Sequence, residues 1–219
     1  NLVLYKKNLL SEWQEIITPS PEDNFNRARA IQEDRQGHVW IITSHTGAFI
    51  YDRNTGVLRQ YLHDQNQLHT LASNNLAALH IDYDGIVWIG NYKYGISYYV
   101  PDAQTFFKKT FSPYNDIQCF AQVGDKLFVG TDGGGLWCKD IDKDYGEHIV
   151  TPANVLVSLK ADSKDRLWMG TYQRGLLCYD HGKLSHYNIR NSNLKDNDIY
   201  GVAEDEDGRI WVIALNGNL

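Results

Sequence analysis

Residues 30–52 read AIQEDRQGHVWIITSHTGAFIYD, and this stretch decides the fold because it returns four more times. Its skeleton is Asp-x-x-Gly, an apolar residue, Trp, a further apolar pair or Gly-Thr, three free positions, Gly, and a segment ending in Tyr-Asp. The other copies are LHIDYDGIVWIGNYKYGISYYV from Leu79, CFAQVGDKLFVGTDGGGLWCKD from Cys119, LKADSKDRLWMGTYQRGLLCYD from Leu159 and VAEDEDGRIWVIALNGNL from Val202. The anchors Trp40, Trp88, Phe128, Trp168 and Trp211 lie 48, 40, 40 and 43 residues apart. A period in the forties built from short strands marks propeller blades, each of which must stack on its neighbours to bury its faces.

One copy lays out one blade. Residues 28–33 form strand a, the Asp34–Gly37 segment a hairpin turn, and residues 39–43 strand b. The Ser44–Gly47 segment turns the chain again into strand c at 48–52, and RNTG leads to strand d at 58–62. The expected fold is therefore all-β, a β-propeller of four-stranded antiparallel blades in one domain, 1–219. Full blades fall at about 28–62, 76–111, 117–149 and 155–188, with half-blades at 1–17 and 199–219. In the first half-blade, residues 2–5 and 13–17 read as strands c and d, whereas 202–216 supply strands a and b of the last. Those halves are complementary, so the chain either closes as a five-bladed ring or is an arc of a larger propeller.

Composition narrows the function classes. Fourteen Tyr and six Trp against one Met suit sheets packed through aromatic and branched side chains. A net charge of −6 without any basic run excludes a nucleic-acid or anionic-membrane surface, which needs clustered Lys and Arg. No stretch approaches the roughly 18 apolar residues of a membrane span, so no direct membrane insertion of this segment is expected. The chain begins at Asn1 and reads as a piece of a longer polypeptide. Cys119, Cys138 and Cys178 read as small buried hydrophobes, because Cys138 and Cys178 occupy equivalent sites on sheets about 10 Å apart, too far for a disulfide.

Asp34, Asp82, Asp162 and Asp205 each stand six residues before their Trp. A carboxylate there caps its own turn by accepting backbone N–H groups two residues on, and it repeats because every blade needs the turn. The Trp row, by the same logic, fills the space between blades. Neither row is expected to touch a ligand or a metal. What the blade does not need is free to serve function, and those departures concentrate in the b-to-c loops. They read Ser44-His45-Thr46, Tyr92-Lys93-Tyr94, Asp132-Gly133-Gly134, Tyr172-Gln173-Arg174 and Leu215-Asn216-Gly217. These loops share a face with the d-to-a connections, HDQNQLHTLASNN from His63 and IRNSNLKDND from Ile189 among them. The candidate ligand-binding residues are His45, Tyr92, Lys93, Tyr94, Asp132, Tyr172 and Arg174, mounted on loops above a rigid scaffold. Aromatic rings beside cationic and acidic groups suit a carbohydrate, whose C–H faces stack while its hydroxyls find polar partners. No catalytic signature, phosphate-binding loop, metal pattern or cofactor motif is present, and His63, His69 and His80 match no zinc spacing.

Asp-x-x-Gly, Trp-apolar-Gly-Thr, Gly-Leu and Tyr-Asp within one blade resemble the two-component-regulator propeller repeat over nearly the whole chain. That family occurs in the periplasmic sensor regions of hybrid two-component proteins of gut Bacteroidetes. The resemblance implies a non-catalytic periplasmic sensor that recognises glycan-derived oligosaccharides and passes the signal to an inner-membrane histidine kinase. It implies as partners the oligosaccharide, the remaining blades and downstream modules of the same protein, and a second copy in a homodimer. The family's seven-bladed rings favour the arc over the five-bladed ring. Departures are Phe128 for Trp, Asp165 for the turn Gly, and Ile213-Ala214 for Gly-Thr. The alternatives are a protein-interaction scaffold, or a propeller lyase of the streptogramin type. A lyase needs His and Glu at the channel mouth, but His45 is the one His in a b-to-c loop and no Glu accompanies it.

Overall fold

A computed structural model describes residues 4–7, 12–17, 27–110, 116–140 and 146–215. Among these are twenty strands and no helix. A leading hairpin pairs β1 (Leu4–Lys7) with β2 (Trp13–Ile17). The first full blade is β3 (Ala28–Glu33), β4 (His38–Thr43), β5 (Ala48–Asp52) and β6 (Leu58–Tyr61). The second is β7 (Leu76–Ile81), β8 (Val87–Asn91), β9 (Gly95–Val100) and β10 (Thr105–Lys109). The third is β11 (Ile117–Val123), β12 (Lys126–Thr131), β13 (Leu136–Asp140) and β14 (Gly146–Ile149). The fourth is β15 (Leu156–Ala161), β16 (Leu167–Thr171), β17 (Leu176–Asp180) and β18 (Lys183–Tyr187), and a trailing hairpin pairs β19 (Ile199–Glu204) with β20 (Ile210–Ala214). All pairings are antiparallel between consecutive strands. No ladder joins the leading hairpin to the trailing one among the described residues. The first and last residues, on which the expected phase overlap of the two halves rests, lie outside the described set.

The Asp row explains the spacing of six. In each case Oδ1 accepts the N–H groups two and four residues on, at 2.9–3.0 Å, which closes the turn. Oδ2 then accepts the indole N–H of the Trp, at 3.1 Å in Trp40, 2.8 Å in Trp88 and Trp168, and 2.7 Å in Trp211. One carboxylate thus satisfies a turn and a ring donor together, and for Trp40, Trp88 and Trp168, which are buried, burial requires that the donor be met. The third blade departs at both ends of the pair: Phe128 has no N–H to donate, and Gln122 stands where the Asp would be. Its amide instead donates to the Gly124 carbonyl at 3.0 Å. At the turn Gly position of the fourth blade Asp165 adopts φ 58°, the left-handed region that Asp tolerates better than most residues.

Each anchor faces the following blade. Trp40 is 1% exposed and meets Tyr99 and Phe106 at centroid distances of 5.0 and 6.5 Å. The buried Lys139 reaches from the third blade over the Trp88 ring at 5.3 Å. Phe128 meets Tyr179 of the fourth blade at 6.2 Å, and Trp168 packs on Ile199 and Val202 of the trailing hairpin. Trp211 repeats the indole bond to its Asp, but among the described residues no further blade packs on it, and it is 58% exposed. Ile31, on the outer side of the first blade, is equally bare at 58%.

The Gly-Thr pair has two separate causes. Thr43, Thr131 and Thr171 are fully buried, and their hydroxyls donate to the carbonyls of Gly47, Gly135 and Gly175, which pins the b-to-c loop. In the second blade Asn91 does this work through Nδ2, at 3.1 Å from the Gly95 carbonyl. The Gly that precedes the Thr is where the next blade comes closest. A Cβ on Gly170 would stand 2.3 Å from Ser158 Oγ and 2.6 Å from the Ile199 carbonyl oxygen. Gly170→Ala is therefore expected to cost about 1–3 kcal/mol by overpacking. Urea denaturation should show a lower midpoint with an unchanged slope.

Blades are also tied by main-chain bonds. The N–H groups of Gly47, Gly135 and Gly175 donate to the carbonyls of Asn74, Asn154 and Asn197 of the following blade, at 3.1, 2.8 and 2.7 Å. Gly47 must be glycine here. Its φ is +72°, and a Cβ would sit 2.2 Å from the Tyr61 carbonyl oxygen.

Candidate functional site

The b-to-c loops stand on one face together with the connections into each strand a. The first N–H of each loop donates to the residue just before its own strand a: Ser44 to Arg27, Tyr92 to Asn75, Asp132 to Asp116, Tyr172 to Val155 and Leu215 to Asp198, at 2.9–3.2 Å. Asn216 and Gly217 of the last loop lie outside the described residues. Every a–b ladder shifts register at the same place, between Ala28 and Ala30, Leu76 and Ala78, Ile117 and Cys119, Leu156 and Ser158, and Ile199 and Gly201. A bulge repeated at one level re-aims the strand where it meets these loops.

Tyr92, Tyr94 and Tyr172 are 40%, 60% and 44% exposed, and His45, Lys93, Asp132 and Arg174 are exposed as well. Lys93 and Gln173 take φ 64° and 61°, which turns their N–H groups toward the next blade. That of Gln173 meets Asp198 Oδ1 at 2.6 Å, and Lys93 lies close enough to the Asp116 carboxylate to favour its ionised form. Burial raises the Asp116 carboxyl above its ordinary range, and the neighbouring Asp132 pushes it further; Lys93 and Gln118 oppose the shift. Lys93 Nζ lies 4.9 Å over the Tyr92 ring. His45 is hydrogen-bonded through Nδ1 to Ser44 Oγ at 2.8 Å, and His186 bonds the Arg174 carbonyl.

The structure thus brings Lys93 and Asp132 together around Asp116, which the sequence reading left out. Asp116 and Asp198 hold the same place one residue before strand a, and that recurrence was the signal available. Tyr92 and Tyr94 stay on a different loop from Tyr172 and Arg174, with no ring contact or hydrogen bond joining the two pairs among the described residues. Among the described residues no group of His, Cys, Asp and Glu is arranged to hold a metal ion. All three Cys are free thiols, two of them buried.

Among the described residues, clefts open on the opposite face, among the a–b and c–d turns. One of about 210 Å³ lies between the first and second blades, beside Trp40, Tyr61 and Tyr99. A second, of about 360 Å³, joins Gln36 to Tyr83 and Pro101. The third, of about 310 Å³, lies between the third and fourth blades, beside Phe128 and Tyr179. Recessed space is therefore found on the face that the sequence presents as uniform.

The family model for the two component regulator propeller matches residues 23–45 and 193–215, each spanning strand a, its turn and strand b. No curated protein matches the chain. Among solved structures, the extracellular domain assigned to the hybrid two component system BT3049 from B. thetaiotaomicron is 17% identical with a TM-score of 0.76, over 93% of this chain and 29% of that one. The corresponding domain of BT4673 from the same organism is 21% identical with a TM-score of 0.71, over 89% and 27%. A catalytically inactive virginiamycin B lyase from Staphylococcus aureus, with quinupristin, is 12% identical with a TM-score of 0.70, over 89% and 65%. The chain spans under a third of the length of the first two. At these identities the likeness is one of propeller fold.

Proposed function

We propose that this chain, which carries two-component regulator propeller repeats, is part of an extracytoplasmic sensor of a hybrid two-component protein, non-catalytic and without a cofactor. Its ligand is a glycan-derived oligosaccharide met on the loop face. What carries the reading is the family repeat matched at both ends of the chain, at 23–45 and 193–215. Fold alone does not assign function, and the propeller lyase shares the fold. The loop face adds chemical support: exposed Tyr92, Tyr94 and Tyr172 beside Lys93 and Arg174 offer stacking faces next to hydrogen-bond donors. Periplasmic location, further blades and a kinase module in the same protein, and a homodimer belong to the same proposal. No described helix is long and apolar enough to cross a membrane.

The bare face around Trp211 and Ile213 favours a partner of propeller type packed on the trailing hairpin, because the same surface is covered at every other joint. That favours further blades over an unrelated scaffold partner. The test is calorimetric titration of the whole sensor region with oligosaccharides from a panel of plant and host glycans. Tyr94→Ala and Arg174→Ala are each expected to weaken binding about tenfold by removing a contact of about 1.4 kcal/mol. Absence of heat with every oligosaccharide, or turnover of any of them, would overturn the proposal.

A further inference from the structure

The cleft between the first and second blades has a floor made of rings. Tyr99 lies 5.0 Å from Trp40 and 6.2 Å from Tyr61, centroid to centroid. Around that floor stand His38, Asp52, Arg59 and Gln104. Asp34 closes the back, its carboxylate taken up by Trp40 and His38 at 3.1 and 3.0 Å. The notch itself is a product of blade geometry, since an equivalent one opens between the third and fourth blades. The lining is not. Tyr61 pairs with the first residue of strand c in its blade, and so does Ile149 in the third. At matching places the first cleft has Tyr61, Arg59 and Ile50, and the other has Ile149, Glu147 and Cys138. One scaffold carries two linings: both floors hold a ring pair, Trp40 with Tyr99 and Phe128 with Tyr179, but of the two only the first adds a third ring, Tyr61, and a guanidinium, Arg59.

We propose that this cleft binds a single small, uncharged, polyhydroxylated ring of the sugar type. Ring C–H groups stack on Tyr61 and Tyr99, whose faces carry the negative side of the quadrupole. Arg59 and His38 supply donors, and Asp52 and Gln104 supply acceptors, so the rim matches hydroxyl groups of both roles. Two carboxylates, Asp34 and Asp52, outnumber the one guanidinium of Arg59, which disfavours an anion. At about 210 Å³ the cleft is smaller than sites for drug-sized molecules, about 300–1,000 Å³, which limits the occupant to one ring. The cleft lies on the face opposite Tyr94 and Arg174, and it stands without the loop-face reading.

The test is an amide-resolved NMR titration of this chain with the methyl glycosides of glucose, galactose, mannose and xylose at millimolar concentration. At least one is expected to give saturable shifts at Gln36, Arg59 and Gln104. Combining Arg59→Ala with Gln104→Ala, both exposed side chains, should weaken that binding about tenfold through lost hydrogen bonds to a charged and a polar group, with an unchanged thermal melt. Tyr94→Ala and Arg174→Ala should leave it unaltered. No saturable shift at the three amides with any glycoside, or equal affinity in the double variant, would sink the proposal. Shifts confined to loop amides would sink it while leaving the loop-face reading intact, and shifts confined to the cleft would do the reverse.

Discussion

Trp40→Ala is expected to lower stability by about 3–5 kcal/mol, the range for emptying an aromatic site in a packed core. Trp211→Ala, by contrast, should cost this chain only about 1 kcal/mol or less, as a half-exposed position does. The two residues hold the same place in the repeat and make the same indole bond to an Asp. They differ in what lies beyond. Trp40 is covered by Tyr99 and Phe106 of the second blade, and its removal leaves a cavity that those rings cannot close without repacking. Trp211 gives up mainly its bond to Asp205 and a partial contact with its own hairpin. Equilibrium unfolding in urea, followed by fluorescence and by circular dichroism, measures both costs on one scale. A cost at Trp211 matching that at Trp40 would mean that the trailing face is covered in solution.

Asp162→Ala should be the most damaging change outside the apolar core, at about 2–4 kcal/mol: on the order of 1–3 for a buried indole left without its acceptor and about 1 for the lost turn cap. Its side chain is fully buried and receives the N–H groups of Lys164 and Arg166, the Arg166 guanidinium at 2.7 Å and the Trp168 indole at 2.8 Å. Burial acts to raise its carboxyl, but the bonds from Trp168 and Arg166 outweigh it and hold the group below its ordinary value. A carboxyl depressed in the folded state favours the fold wherever it is ionised. Its contribution is complete above the unfolded value of about 3.9 and disappears as pH falls through the lower folded value. Acid unfolding followed between pH 5 and 2, on the order of the span over which carboxylates titrate, should therefore be shallower in Asp162→Ala. Asp52 and Asp205 are depressed in the same direction and keep part of the acid dependence. An acid limb as steep in the variant as in the parent would remove Asp162 from this role.

The repeat was legible because its turn and strand chemistry is local. Asp34 and its counterparts announce the turn, and the strands follow by alternation. The indole half of the Asp role was not legible, since it depends on strand b twisting back over the turn to deliver Trp Nε1 to Oδ2. With that bond known, the paired change to Gln122 and Phe128 reads as one event: a blade that gives up the donor gives up the acceptor too. At the candidate site, exposure of the free loop positions followed from their place between a buried Thr and a tightly packed Gly. Which of them meet did not follow, because Lys93 and Asp132 converge on Asp116, a residue outside both loops. The cleft beside Tyr61 was hidden for a related reason. Its walls come from strand d of one blade and the c–d turn of the next, about 40 residues away, and no local pattern records that adjacency.

The tie between the loop Gly of one blade and the Asn ahead of the next has a consequence for how such chains arise. Donor and acceptor recur at three of the described joints, those of Gly47, Gly135 and Gly175, and an anchor ring recurs in each unit, so these joints are interchangeable with one another. Duplicating or deleting one unit leaves all remaining joints with partners of the right kind. The number of units is thus open to inheritance by gain or loss of whole segments, while the outward faces diverge one unit at a time, as the unlike linings beside Tyr61 and Ile149 already have.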